Sequence, residues 1–367
     1  MRTIPTPVLA ASSFFTDPTF WTAFSPSRFG PAVLPFAAAL VATAAAVLPT
    51  RWLAFKLGAV AVPGARRIHS RPTGRLGGLA MYLGFGLSAA FFSKNPLTLG
   101  LLLAAATVTA LMVLDDLHGI SPLVKLAFQV AASVLAILLF GVHNIINVVQ
   151  LPGGRVVTLA VAVAVALTLL WFVALQNTIN LIDGVDGLAA GVVAIVAGAI
   201  LLAAINQNKT DTIILAGALI GACVGFLFFN WHPARVFMGD SGSNFLGFTL
   251  AALSVLSVAK GAVVLALLVP VVALAIPFFD TGWAILRRRI RGQSIATADA
   301  EHLHHRLLDF GLSPRETALV FYFGTAIFAA IGLTIYGHRK VLLGAILLLV
   351  LGIAIIMARR FRRISRG

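Results

Sequence analysis

The chain has 367 residues, 60% hydrophobic and 11% charged, with a mean hydropathy of +1.00; a soluble domain carries about a quarter charged residues, so a soluble globular enzyme is excluded. The single Cys223 lies in an apolar run, which rules out an internal disulfide or a thiolate cluster and reads as a small buried hydrophobe. The basic residues behind the formal charge of +15 flank apolar spans and form no basic face with aromatic platforms, so they point to membrane orientation and not to nucleic acid.

Residues Met1 to Phe29 contain Pro5, Pro7, Asp17, Pro18 and Pro26 and lack a basic region followed by an apolar core, so they read as a retained lead-in and not a cleavable signal. Apolar stretches near the roughly 20 residues that span a hydrocarbon core then predict eleven helices. In chain order these are Val33 to Leu53, Gly77 to Phe92, Leu97 to Leu114, Leu123 to Phe140, Val157 to Leu175, Leu188 to Ile205, Ile213 to Phe229, Phe245 to Val258, Val263 to Trp283, Thr317 to Tyr336 and Val341 to Ala358. The expected fold is an all-α polytopic membrane protein made of one domain over residues 1–367, with a short hairpin in the loop from Gly141 to Val156.

With the N-terminus outside and the C-terminus cytoplasmic, only Arg2, Arg28, Lys94, Arg155, Lys209, Lys260, Arg339 and Lys340 of the 27 Lys and Arg face outward. The positive-inside rule selects that arrangement. Of the 12 acids only Asp17 and Asp211 then lie outside, an asymmetry no topology rule requires. Carboxylates pressed against helix ends are costly unless paired, metal-bound or hydrated, so the inner loops, about 54–76, 115–122, 176–187, 230–244 and 284–316, are expected to form the active site.

The first inner loop runs from Arg66 through His69 and Arg75 to Gly77-Gly78. Its glycine-lined helix start is expected to offer free backbone N–H groups to an anion, although taken alone its cations are better read as topology determinants beside lipid headgroups. Next come the adjacent acids of Asp115-Asp116-Leu117-His118-Gly119, which repel each other and call for a divalent or side-chain cation. All-oxygen ligands with open positions suit Mg²⁺, and Lys125, returning across the loop, suits a phosphate.

The run Asn177-Thr178-Ile179-Asn180-Leu181-Ile182-Asp183-Gly184-Val185-Asp186-Gly187 places amides and acids at three-residue spacing, either on one helical face or in a polar turn. Asn230-Trp231-His232-Pro233-Ala234-Arg235 leads into Phe237-Met238-Gly239-Asp240-Ser241-Gly242, where glycines flank a carboxylate that begins a helix. In the last inner loop Glu301-His302-Leu303-His304-His305-Arg306 lacks a zinc-ligand spacing such as His-Glu-x-x-His and fits phosphate or sugar contact.

Together, Asp115-Asp116-x-x-Gly119, Asn177-x-x-Asn180-x-x-Asp183-Gly184-x-Asp186-Gly187, Phe237-Met238-Gly239-Asp240 and His302-x-His304-His305 resemble the polyprenyl-phosphate N-acetylhexosamine-1-phosphate transferases, over roughly Arg66 to Arg315. Leu303 interrupts the histidine run and resembles the branch using UDP-N-acetylglucosamine rather than the phospho-N-acetylmuramoyl-pentapeptide branch. The resemblance implies Mg²⁺, with Mn²⁺ as a substitute, held by Asp240 and Asn180, and Asp115, Asp116 and Asp183 as catalytic acids with Lys125. It implies substrate contacts from Asn177, Asp186, Arg235, His302, His304, His305, Arg306, His69 and Arg75. The partners it implies are UDP-N-acetylglucosamine, undecaprenyl or another polyprenyl phosphate, and membrane lipid in the bacterial inner membrane, with no nucleic acid; a homodimer is compatible. A cation-coupled transporter is the rival reading; Asp280, deep in an apolar span, fits it best.

Overall fold

A computed structural model of the chain describes residues 26–61, 72–142, 144–150, 156–258 and 312–334, with Trp283, Leu286, Arg287, Arg289, Ile290, Gly344 and Gly352 as isolated positions. The proline-rich lead-in up to Ser25, Asp280, and the expected helices at 263–283 and 341–358 apart from three isolated positions lie outside the described residues.

Nine helices appear among the described residues: α1 (Pro26–Leu57), α2 (Gly77–Phe92), α3 (Pro96–His118), α4 (Pro122–Phe140), α5 (Val161–Ile182), α6 (Leu188–Asn206), α7 (Thr210–Asn230), α8 (Gly239–Val258) and α9 (Pro314–Thr334). Six of them, α1, α3, α4, α5, α6 and α7, are long and apolar enough to cross a bilayer, so the chain is a polytopic membrane protein. Strands β1 (Val60–Ala61) and β2 (Thr73–Gly74) pair antiparallel between α1 and α2. The expected hairpin also forms: β3 (Val148–Gln150) pairs with β4 (Val156–Thr158), Val149 opposite Val157.

Local signals set the helix ends. Asn95 accepts the Leu97 N–H at 2.9 Å ahead of Pro96, and Gly119 closes α3 in a left-handed conformation with φ 66°. The helix therefore runs past the expected stop at Leu114, and Asp115 and Asp116 stand in its last turn. Helix α5 likewise runs to Ile182, beyond the expected Leu175, because Asn177 and Asn180 find hydrogen-bond partners on neighbouring helices.

Helix α8 is the axis of the bundle. Residues 241–255 are all buried, packed against α2, α3, α5, α6 and α7. Phe245 meets Tyr82 and Phe85 edge-on, and Phe248 lies 4.9 Å from Phe172. On the flank, Gly217, Gly221 and Gly225 of α7 face the backbone of α1 at Ala32, Phe36 and Leu40, where any Cβ would collide with a carbonyl. Such small-residue stripes let membrane helices approach closely without a hydrophobic drive between them. The outward faces keep exposed Leu, as at Leu123 and Leu138 of α4, which suits lipid.

Candidate active site

The chain returns repeatedly to one end of the bundle, and there the last turns of α3 and α5 meet the first turns of α4 and α8. Lys125 Nζ lies 2.7 Å from Asp115 Oδ2 and 2.7 Å from Asp240 Oδ2. One ammonium thus bridges two carboxylates from different helices. Asp115 is further held by the Ile120 N–H at 2.8 Å. Asn180 Nδ2 donates to Asp240 Oδ1 and, at 2.8 Å, to Ser243 Oγ.

Asp116 does different work. Its side chain is fully enclosed, with Arg75 Nη2 3.8 Å away. Its two oxygens accept the backbone N–H groups of Asp240 at 2.8 Å and of Ser241 at 3.0 Å, so a carboxylate of α3 caps the N-terminus of α8. The helix dipole adds to that attraction. Gly239 makes the approach feasible: its φ is +70°, and a Cβ there would run into the Arg75 carbonyl and the Asp116 carboxylate.

One expectation is corrected. The glycine-lined start of α2 offers no free N–H groups to an anion at Gly77 and Gly78, since Gly77 donates to the Phe237 carbonyl at 3.0 Å and Gly78 to the Met238 carbonyl at 2.9 Å. Glycine is needed at these positions for close packing instead: a Cβ on Gly78 would enter the backbone of Ser241 and Gly242. The segment carrying Arg75 is thereby stitched to the one carrying Asp240, as the Phe237 N–H also reaches the Gly74 carbonyl at 2.9 Å.

Asp183 ends α5 and is half-buried, and among the described residues its carboxylate has no hydrogen-bond or ion-pair partner. Burial first, then repulsion from Asp240 and Asp116, holds that carboxyl well above its usual range. Asn177 stands deeper and donates to Gln129 Oε1 at 2.8 Å.

Asp186 belongs to a neighbouring cluster. Its Oδ2 meets His232 Nδ1 at 2.7 Å and the Ala234 N–H at 3.0 Å, while Arg315 Nε and Nη2 donate to the His232 carbonyl at 2.9 and 2.7 Å. Tyr322 of α9 donates to the Gly187 carbonyl at 2.5 Å, fastening α9 to the turn between α5 and α6. Arg235 is exposed beside this cluster. His69, His302, His304, His305 and Arg306 lie outside the described residues.

Sequence reading gave no role to His232, Ser243, Asn244 or Gln129. Asp240, Ser243 and Asn244 share one helical face at three- and four-residue spacing, and Gln129 stands four residues from Lys125; that spacing was the available signal. Among the described residues no three His, Cys, Asp or Glu form a ready metal cluster. The carboxylate oxygens of Asp240 and Asp115, which share the Lys125 ammonium, are hard donors that could hold a cation needing further ligands from water and substrate, while Asn180 turns its amide nitrogen to Asp240 and would have to turn its amide over to add an oxygen.

The model of the family described as "Glycosyl transferase family 4" matches residues 98–258, which run from α3 to the end of α8. A Bacillus subtilis (strain 168) protein named "Probable undecaprenyl-phosphate N-acetylglucosaminyl 1-phosphate transferase" is 36% identical over 74% of this chain and 75% of its own. The decaprenyl-phosphate N-acetylglucosaminephosphotransferase of Mycobacterium tuberculosis (strain ATCC 25618 / H37Rv) is 37% identical over 88% of this chain and 89% of its own. The phospho-N-acetylmuramoyl-pentapeptide-transferase of Anoxybacillus flavithermus (strain DSM 21510 / WK1) is 31% identical over 73% and 85%.

Proposed function

The chain belongs to glycosyl transferase family 4, and on that premise we propose that it transfers N-acetylglucosamine 1-phosphate from UDP-N-acetylglucosamine to a polyprenyl phosphate, releasing UMP. The observation that carries this reading is Lys125 held between Asp115 and Asp240 at the end of a membrane bundle. A lipid acceptor keeps its apolar tail among helices while its phosphate reaches the surface, and a charged cluster of this kind at the helix ends is where that phosphate belongs. The assigned face is the cytoplasmic one of a bacterial inner membrane, where nucleotide sugars are made.

In the reaction, an acceptor phosphate oxygen attacks the β-phosphorus of the donor and a new P–O bond forms. The bond from that phosphorus to the bridging oxygen breaks, and its electron pair leaves on UMP. The nucleophile is anionic near neutral pH, so alignment and charge neutralisation contribute more than a general base.

Asp240 and Asp115, joined by Asn180 once its amide turned its oxygen inward, would hold a Mg²⁺ ion, or Mn²⁺ in its place, and a bound ion would offset charge on the diphosphate. Lys125 supplies a point charge for a phosphate oxygen, with its position fixed by two carboxylates. Asp116 and Arg75 fix the start of α8, which carries Asp240. From its sequence, the stretch His302 to Arg306 supplies further phosphate contacts.

The test is UMP release by detergent-purified protein given undecaprenyl phosphate and UDP-N-acetylglucosamine, with Mg²⁺ and with EDTA. Turnover that requires Mg²⁺ is expected. Turnover of UDP-N-acetylmuramoyl-pentapeptide alone would move the chain to the other branch of the family.

A further inference from the structure

Lys125, Asn180 and Asp240 come from three helices, α4, α5 and α8, far apart in the chain. One helical turn deeper on each helix stands an amide: Gln129 four residues after Lys125, Asn177 three before Asn180, and Asn244 four after Asp240. These amides form a continuous chain of hydrogen bonds. Asn177 Nδ2 donates to Gln129 Oε1 at 2.8 Å, Gln129 Nε2 donates to Asn244 Oδ1 at 2.7 Å, and Asn244 Nδ2 donates to the Asp240 carbonyl at 2.9 Å.

Gln129 is 1% exposed and Asn244 fully enclosed, so water does not compete for these bonds. Leaving one such buried group unpaired forfeits its hydration with nothing in return, which makes the geometry of the chain well determined. A polar bond that served only to join helices could stand anywhere along their contact. This one lies directly behind the side chains of the cluster, and each amide shares a helical face with one of them.

We propose that Gln129 is a positioning residue that sets α4, α5 and α8 in register so that Lys125, Asn180 and Asp240 converge. The proposal rests on the reading of that cluster as the active site. Gln129 touches no substrate in this scheme; it acts through the three helices it joins.

The test compares the wild-type protein with Gln129→Met, which keeps length and loses both hydrogen bonds. Turnover is expected to fall about tenfold to a hundredfold, with both KM values within about twofold of wild type, since substrate contacts are retained. A second readout needs no substrate: amine labelling of Lys125, followed by peptide mass spectrometry with Lys56 and Lys94 as internal references. Labelling of Lys125 alone is expected to rise. Asn244→Ala should reproduce the effect, and the double variant should cost no more than the worse single one.

Wild-type kcat and labelling in Gln129→Met would overturn the proposal. So would additive losses accompanied by a lower melting temperature and equal labelling gains at all three lysines, because that pattern is merely structural. If Gln129→Met cannot be extracted folded, Gln129→Asn, which shortens the reach to both partners, takes its place with the same readouts. Absence of UMP release by the wild type would sink the function reading alone, as the labelling comparison still decides the role of Gln129.

Discussion

Asp116 accepts the backbone N–H of Asp240 at 2.8 Å across 124 positions of sequence, so one acid of the site fixes the backbone of another. The adjacent Asp115 points instead to Lys125, and the pair read as two acids of one kind divides into a cap and an ion-pair partner. Asp116→Ala is therefore expected to lower both turnover and stability, the latter by about 1–2 kcal/mol, as loss of a helix cap does. Thermal unfolding in detergent alongside steady-state rates checks this; an unchanged melting temperature would show that the cap contributes nothing.

Gly239→Ala tests the same junction from the other side. A side chain at φ +70° costs about 1–2 kcal/mol, and here the added Cβ also meets the Asp116 carboxylate. The expected outcome is a poorly active protein with a melting temperature below that of Asp116→Ala. Gly58, with φ +80° and open space around it, is the control, since Gly58→Ala carries only the conformational strain.

The fold was legible wherever composition decides it: a bundle of apolar helices with acids gathered at one end follows from hydropathy and charge. Lys125 was readable as returning to the site of Asp115 because the intervening loop is short, although it was read there as a phosphate contact and the structure pairs it with Asp115 and Asp240. Gly77 and Gly78 misled, because sequence displays donors but not the loop before α8 whose Phe237 and Met238 carbonyls arrive to take them. The role of Gln129 was illegible for the converse reason. A lone amide in an apolar helix acquires meaning only when Asn177 and Asn244 are seen on either side of it.

The orientation assigned to the active face follows from the charge asymmetry. A tag after Gly367 is expected to be cytoplasmic and one before Met1 external, because that arrangement would put all but eight of the 27 basic residues on the inner side. Protease digestion of right-side-out cells that removes the C-terminal tag and spares the N-terminal one would reverse the arrangement.

Asp183 gives a pH signature. Its carboxyl sits well above the ordinary value of 3.8, so within that window the folded chain holds a proton the unfolded chain has released. Stability from this group falls as pH rises through the window, and the full penalty applies above it. Asp183→Asn is expected to raise the melting temperature at pH 8, with the gain shrinking toward pH 4, while turnover drops. A gain independent of pH would assign the effect to packing instead.

Asp240 is the residue whose loss should be least tolerated, because it meets Lys125 and Asn180 at once and stands on the helix that Asp116 caps. Asp240→Asn keeps size and hydrogen bonding while deleting the charge. Turnover is expected to fall about a hundredfold or more, the scale of removing a principal electrostatic stabiliser. The protein should remain extractable, since the capping interaction uses the backbone N–H of Asp240 and survives the substitution. Asp211→Asn is the matched control: its carboxylate accepts from Asn95 at 3.1 Å at the far end of α7, and an amide oxygen can do the same, so turnover should not change. Near-normal Mg²⁺-dependent turnover of Asp240→Asn would remove the metal from Asp240 and leave Asp115, the other carboxylate on Lys125, to carry it.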